Sequence, residues 1–178
     1  MTVSMFIRTR QSGGLLLIMA NSTSQYLRLW LEGGRIKVQI NNFETLVGRG
    51  AVSDGHFHLV TVKLEAKEAV LFQSAQSQGS MRIRPIQAHP GDVVFVGGLP
   101  DARASASFGG YFKGCLQDLR INSKRLQFFP IASPVESYSL EQLANVAQGC
   151  SSDNACAVSL ISAVMIRVGQ ELKITILF

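Results

Sequence analysis

A chain of 178 residues with 47% hydrophobic and 16% charged side chains has room for one large domain or two small ones and is too apolar to stay disordered. Folding at that length hides roughly 70% of the surface of the extended chain, so the three cysteines are not needed as a framework, and composition excludes a collagen, a coiled coil, a disulfide knot and a polytopic membrane protein. The formal charge of +5 comes from 17 basic residues scattered from Arg8 to Lys173 with no cluster longer than Lys124-Arg125, a background charge rather than the footprint of a nucleic-acid binder.

In chain order, Thr2 to Thr9 reads as a strand with no lead-in. No basic leader, apolar core or small-residue cleavage site precedes it, so no signal peptide is expected and the sequence reads as a fragment of a longer chain. Gly14 to Ala20 is a continuous apolar run between Ser12-Gly13-Gly14 and Asn21-Ser22-Thr23-Ser24, which predicts a strand buried on both faces. Gln25 to Glu32 alternates: Leu27, Leu29 and Leu31 take one face, and Tyr26, Arg28, Trp30 and Glu32 take the other. Gly33-Gly34 follows, and Arg35 to Ile40 alternates again with Ile36, Val38 and Ile40 inward, so the pair predicts a hairpin on a two-residue glycine turn.

Further strands are predicted over Phe43–Val47, His56–Leu64, Ala69–Phe72, Met81–Ile86, Val93–Val96 and Tyr111–Ile121. Asp54-Gly55, Gln78-Gly79, Pro90-Gly91, Gly97-Gly98 and Gly109-Gly110 supply the turn signals. Ser139 to Val146 has a helical look, with Leu140, Leu143 and Val146 behind a Ser139/Gln142 capping box. Many strands without strand-helix alternation predict an all-β fold, two antiparallel sheets packed as a jelly-roll sandwich. The uncharged run Asn154 to Ile166 falls short of the roughly 20 apolar residues that a spanning helix needs. No catalytic residue is predicted: there is no nucleophile elbow, phosphate loop or His-Glu-x-x-His, and Gly48-Arg-Gly50 lacks the third glycine of a dinucleotide site. A glycosidase of jelly-roll fold needs two carboxylates about 5 to 10 Å apart, but Glu65 and Glu68 are an odd number of residues apart and Asp118 stands alone on its strand.

Five motifs in order carry a resemblance. Ser12-Gly-Gly-Leu-Leu-Leu-Ile-Met, Tyr26-Leu-Arg-Leu-Trp-Leu-Glu-Gly-Gly-Arg-Ile, Asp54-Gly-His-Phe-His-Leu-Val, Val94-Phe-Val-Gly-Gly-Leu-Pro and Gly109-Gly-Tyr-Phe-Lys-Gly-Cys-Leu-Gln-Asp-Leu-Arg-Ile-Asn resemble a laminin G-like domain, with Phe57 where that family more often has Trp. Thr2-Val-Ser-Met-Phe-Ile-Arg-Thr-Arg-Gln, Gln127-Phe-Phe-Pro130 and Gln148-Gly-Cys-Ser-Ser-Asp-Asn-Ala-Cys156 resemble the Crumbs family in particular. The resemblance covers residues 1 to 156 and implies structural positions at Asp54, Gly55, His58 and Gly114. It also implies one or two strands before Thr2, a laminin G-like domain over 1–150, the start of an EGF-like repeat over 151–156, and a divergent apolar tail over 157–178. That tail ends in Leu172 to Phe178, an aggregation hazard if nothing covers it.

Site chemistry follows from both sources. The resemblance pairs Cys115 with Cys150 and leaves Cys156 unpaired; composition alone equally allows free thiols in a reducing compartment. Asn21-Ser22-Thr23 is a glycosylation acceptor, either used or idle, and Asn154-Ala-Cys156 is a weaker one. His56 and His58 with Asp54 nearby lack the further ligands of a zinc site. Where the family holds calcium, the acidic ligand precedes the Tyr-Leu-x-Leu strand; here Gln25 stands there, so no metal is expected, and no cofactor. The expected function is a non-catalytic extracellular binding or adhesion module of a Crumbs-type apical polarity protein, a membrane glycoprotein. The alternatives are a glycan-binding lectin-like domain and, less favoured, a glycosidase. Expected placement is the extracellular side of the apical plasma membrane within a parent protein, or secretion if the fragment stands alone. The partner is an extracellular protein or glycan, with no nucleic acid and with membrane contact only through the parent. Loops are the expected contact surfaces: Asn21–Ser24, Asn41–Glu44 and Ala102–Phe108, with Arg82 and Arg84 on one face open to an acidic glycan or simply solvated.

Overall fold

The computed structural model describes residues 1–43, 45–86, 88–89, 91–126, 128, 149–150, 164–168 and 174–175. In chain order they form β1 (Thr2–Arg8), β2 (Gly14–Ala20), β3 (Gln25–Glu32), β4 (Arg35–Ile40), β5 (Thr45–Ala51), β6 (His58–Leu64), β7 (Glu68–Gln73), β8 (Gln76–Arg82), β9 (Asp92–Val96), α1 (Ala102–Ala106), β10 (Cys115–Ile121), β11 (Lys124–Arg125), β12 (Val164–Val168) and β13 (Ile174–Thr175). Two sheets face each other, in the orders β11-β10-β1-β6-β7-β8 and β13-β12-β9-β2-β3-β4-β5. The predicted all-β sandwich is therefore the observed architecture.

Period-2 alternation builds the interior. Val3, Met5 and Ile7 of β1 and Val60, Val62 and Leu64 of β6 face Leu27, Leu29, Leu31, Ile36, Val38 and Ile40 of β3 and β4, all buried in one cluster. Gly33 and Gly34 both take positive φ, 58° and 75°, the geometry that lets a two-residue turn match the twist of its strands. β2 is buried along its whole length, as predicted. A bulge between Leu15 and Leu17 breaks its alternation, so that Leu16 and Leu17 both enter the main core while Leu15 and Ile18 point to the opposite face.

That opposite face is covered by an element absent from the sequence reading. The segment expected to be a loop at Ala102–Phe108 contains α1, whose N-cap Asp101 accepts from Arg103 N at 2.8 Å. Such a cap satisfies one of the orphan N–H groups of a first turn. Ala104 and Phe108 pack on Leu15, Ile18, Ala20 and Leu99, with Trp30 and Phe95 beside them. Trp30 meets Phe108 edge-on at 5.4 Å between ring centroids. The face of β3 expected to be solvated is therefore half-covered at Trp30, and a second bulge, between Met19 and Ala20, brings Tyr26 into the main core.

Four boundaries move, and the first is that the strand expected over Tyr111–Ile121 begins only at Cys115, after Gly114 takes φ 155°. Asn41 and Asn42 adopt φ of 50° and 59° and Phe43 N donates to Ile40 O at 3.0 Å, so the chain is still turning at Phe43, and β5 starts at Thr45 instead. The strand expected over Met81–Ile86 lies earlier, in β8. Gly79, expected in a turn, sits inside β8 because a Cβ there would come within 3.0 Å of the Leu46 side chain; the glycine serves close approach of the two sheets. The turn itself falls on the two residues between β7 and β8, with Ser74 at φ 56°. Phe57 lies outside β6, 38% exposed, with the Arg8 guanidinium 5.0 Å above its ring. The helix expected over Ser139–Val146 lies outside the described residues.

Candidate functional site

Strand register brings three connections to one end of the sandwich. Ala20 lies opposite Gln25 and also opposite Val93, and Leu27 lies opposite Ile40. The β2–β3 loop, the β4–β5 turn and the start of β9 therefore share a rim. There Ile40, Phe43, Met81, Arg82, Ile83 and Arg84 line a groove of about 330 Å³. Ile40 is buried while Phe43 is 57% exposed, and the Arg84 guanidinium lies 5.2 Å over the Phe43 ring. Among the described residues neither Arg82 nor Arg84 enters an ion pair, although Arg82 stands across from Glu68 in the β7–β8 register. The groove is thus an apolar slot edged by two cations.

Beside it, three amide oxygens converge on one guanidinium. Arg28 donates through Nε to Gln25 Oε1 at 2.9 Å and through a terminal nitrogen to Gln39 Oε1 at 2.8 Å and to Asn42 Oδ1. Partial burial lowers the pKa of Arg28, and an arginine remains a cation throughout the ordinary range. Gln25 therefore gives its oxygen to an internal cation. The described residues contain no group of three or more His, Cys, Asp or Glu side chains placed to hold a metal.

Deeper at the same end, the buried Asp92 accepts from the Tyr26 hydroxyl at 3.0 Å and from His89 N at 2.8 Å. Burial, then the Asp92 charge, push the Tyr26 phenol above its ordinary pKa. Asn21 is exposed on the rim with its Oδ1 accepting from Thr23 N and Thr23 Oγ1, both at 2.9 Å, and from Ser24 N at 2.7 Å. The loop is therefore held by its own acceptor asparagine, an Asx turn.

Asp54, Gly55, His58 and Gly114 lie apart from this rim and hold loops. Asp54 Oδ1 accepts from His56 N at 2.9 Å and meets His58 Nε2 at 2.8 Å, while His58 Nδ1 is 3.3 Å from Gln73 Nε2. Both His58 nitrogens are occupied, and His56 points out with its side chain 83% exposed. The His56 N–H bond, followed by His58, lowers the Asp54 pKa from 3.8 to about 2. Gly55 N donates to Thr9 O at 2.9 Å. Gly114 has φ 155°, and a Cβ on it would run into Arg8 O. Cys115 is bonded to Cys150 with Cα atoms 5.9 Å apart; Cys156 and the sequon at Asn154 lie outside the described residues. The rim's arginines and the turn of Phe43 were legible in the sequence; Ile40, Met81 and Ile83 were not singled out, although a phenylalanine flanked by Asn41-Asn42 and Glu44 is itself the signal of an exposed aromatic.

A laminin G domain family model matches residues 7–124. Protein crumbs homolog 1 of Mus musculus is 43% identical over 155 residues, 87% of this chain, and protein crumbs homolog 2 of Homo sapiens is 35% identical over 161 residues, 88% of the chain. The chain spans 11% of the length of each relative. Among solved structures, domains LG4-5 of the mouse laminin alpha1 chain superpose with a TM-score of 0.59 at 20% identity, covering 71% of this chain and 36% of that one, a likeness of fold. The chain belongs to the laminin G domain family and is a Crumbs-type laminin G-like domain.

Proposed function

We propose that this domain, a non-catalytic module of its family, acts outside the cell as a binding and adhesion unit of a Crumbs-type apical polarity protein, and that the rim is its contact surface. The observation that carries the reading is the groove of Ile40, Phe43, Met81, Arg82, Ile83 and Arg84. It combines an exposed aromatic in the β4–β5 turn with Arg82, the last residue of β8, and Arg84 just beyond it, two guanidinium groups that enter no ion pair among the described residues. Exposed aromatics and arginines are the side chains from which binding hot spots are built, and a rigid sandwich carries recognition at its loops. The test is binding of the clustered, secreted chain to the apical surface of polarised epithelial cells. The expected result is saturable binding that a Phe43→Ala, Arg82→Gln, Arg84→Gln triple variant loses while its circular dichroism is unchanged. Equal binding by the variant would remove the rim from the reading.

The module works without calcium under this proposal, because the oxygens of Gln25, Gln39 and Asn42 already satisfy Arg28 and bring no negative charge for a hard cation. Calorimetry with calcium is expected to give no heat above dilution; binding tighter than about 10⁻⁴ M, within the range of extracellular calcium modules, would contradict it.

A further inference from the structure

The groove adjoins a sheet edge with no further strand beside it among the described residues, and the two together define what kind of ligand fits. β8 is the terminal strand of its sheet. Ile83 N donates inward to Lys67 O at 2.9 Å, and in an antiparallel pair successive residues turn their backbone groups alternately toward and away from the partner. The N–H and C=O of Arg82 therefore face away from β7, at the edge beside the groove. An unpaired strand edge is a template for an added strand. Earlier in β8 the Gln78 side chain reaches the other sheet, where its Oε1 accepts from Arg49 N at 3.1 Å and Gly50 N at 3.0 Å. Among the described residues no strand pairs with β8 on that side, so the edge at Arg82 borders the groove directly.

We propose that this edge and groove form a docking site for an extended, acidic peptide segment of a protein partner, carrying one apolar side chain between carboxylates. The inference rests on the rim being the contact surface and names its ligand class. Backbone pairing along Arg82 gives a peptide affinity irrespective of its sequence, and a neighbouring pocket selects the side chain, as in strand addition generally. Here the pocket floor is Ile40, Met81 and Ile83, so the inserted side chain is aliphatic or aromatic. Arg82 and Arg84 then meet the flanking carboxylates, where a guanidinium forks onto both oxygens. A sulfated sugar would use the two arginines and the Phe43 ring but would leave both the apolar floor and the strand edge unused. That is the reason to favour a peptide over an acidic glycan.

Panning a random peptide library against the full chain tests this, with the Arg82→Gln, Arg84→Gln variant as the counter-target and heparin as a competitor of different class. Expected are enriched peptides with an apolar residue between Asp or Glu residues. Their affinity should fall on the order of fivefold to tenfold on the double variant, the size expected when two exposed charge pairs are lost. Amide shifts upon peptide addition should centre on residues 80–84. Peptides without acids, or peptides that bind the double variant equally well, would overturn the proposal. If no peptide enriches but heparin binds the chain and not the double variant, the peptide proposal fails while the rim stands as the contact surface; if neither binds and cell attachment is insensitive to the rim, both fail. The Arg82→Lys, Arg84→Lys variant separates charge from fork geometry, since lysine keeps the charge and loses the bidentate contact. Affinity intermediate between the native chain and the glutamine variant is the expected result; affinity no better than that of the glutamine variant would show that charge is not what the arginines supply.

Discussion

Asp54 shows how a surface carboxylate can hold a loop. Its pKa is lowered from 3.8 to about 2 by the His56 N–H and by His58, so the folded state binds the proton less readily than the unfolded chain does. Linkage then has one sign: the contribution is complete above about pH 4 and is lost as the pH falls toward 2. A thermal midpoint measured across that window should fall with acid in the native chain, and this part of the fall should vanish in Asp54→Asn, where the side chain no longer titrates. An acid profile unchanged by the substitution would contradict the assignment. Gly114 is a residue of the opposite kind, chosen for lacking a side chain. With φ 155° and Arg8 O in the path of a Cβ, Gly114→Ala combines backbone strain with a clash against main chain, and a loss of about 1–3 kcal/mol is expected in urea denaturation.

Among the elements, β12 shows most clearly the difference between pattern and pairing. It lies beyond the family match at residues 7–124, yet it pairs with β9 from Val164 opposite Val96 to Val168 opposite Asp92, and β13 pairs with it in turn. The tail expected over 157–178 as a divergent segment thus supplies backbone to the seven-stranded sheet. β9 carries buried Val94 and Val96, and if bare it would be an apolar edge, the kind that invites aggregation. Ile166→Pro removes a ladder donor in β12. Hydrogen exchange should then speed up at the β9 amides that face β12 and leave those between β3 and β4 protected. Unchanged β9 protection would mean that the pairing contributes nothing to the edge. The helix α1 was missed for a related reason: five residues are too few for a 3.6-residue period to register, and its cap and the Phe108–Trp30 contact become visible only once β2 and β3 are placed side by side.

On the scale of the whole molecule, the bond from Cys115 to Cys150 closes a loop with a sequence separation of 35. On the chain-entropy account this stabilises by about 4 kcal/mol. Cys115→Ser with Cys150→Ser is expected to lower stability by that order in denaturant without shifting the far-ultraviolet spectrum; a loss below about 1 kcal/mol would show that native strain or residual structure offsets the constraint.

The strand elements, the hairpin at Gly33-Gly34 and the sandwich class were legible because each is written in short-range alternation and turn chemistry, and the motif order carried the family. The site was legible in part: Arg82, Arg84 and the turn at Asn41 were visible as residues, but nothing local says that Met81 and Ile83 join Ile40. Alternation also misled where a bulge intervened, at Tyr26, since one extra residue reverses every side chain beyond it. The sequence by itself determined which residues seek the interior and where the chain can turn, because these depend on side-chain chemistry and backbone freedom within a few residues. Only the tertiary structure decided that Arg28 gathers three amides, that β8 is the terminal described strand of its sheet beside an apolar groove, and that β12 covers β9. Each depends on register between strands distant in sequence, which the free energy of the whole packed sandwich selects.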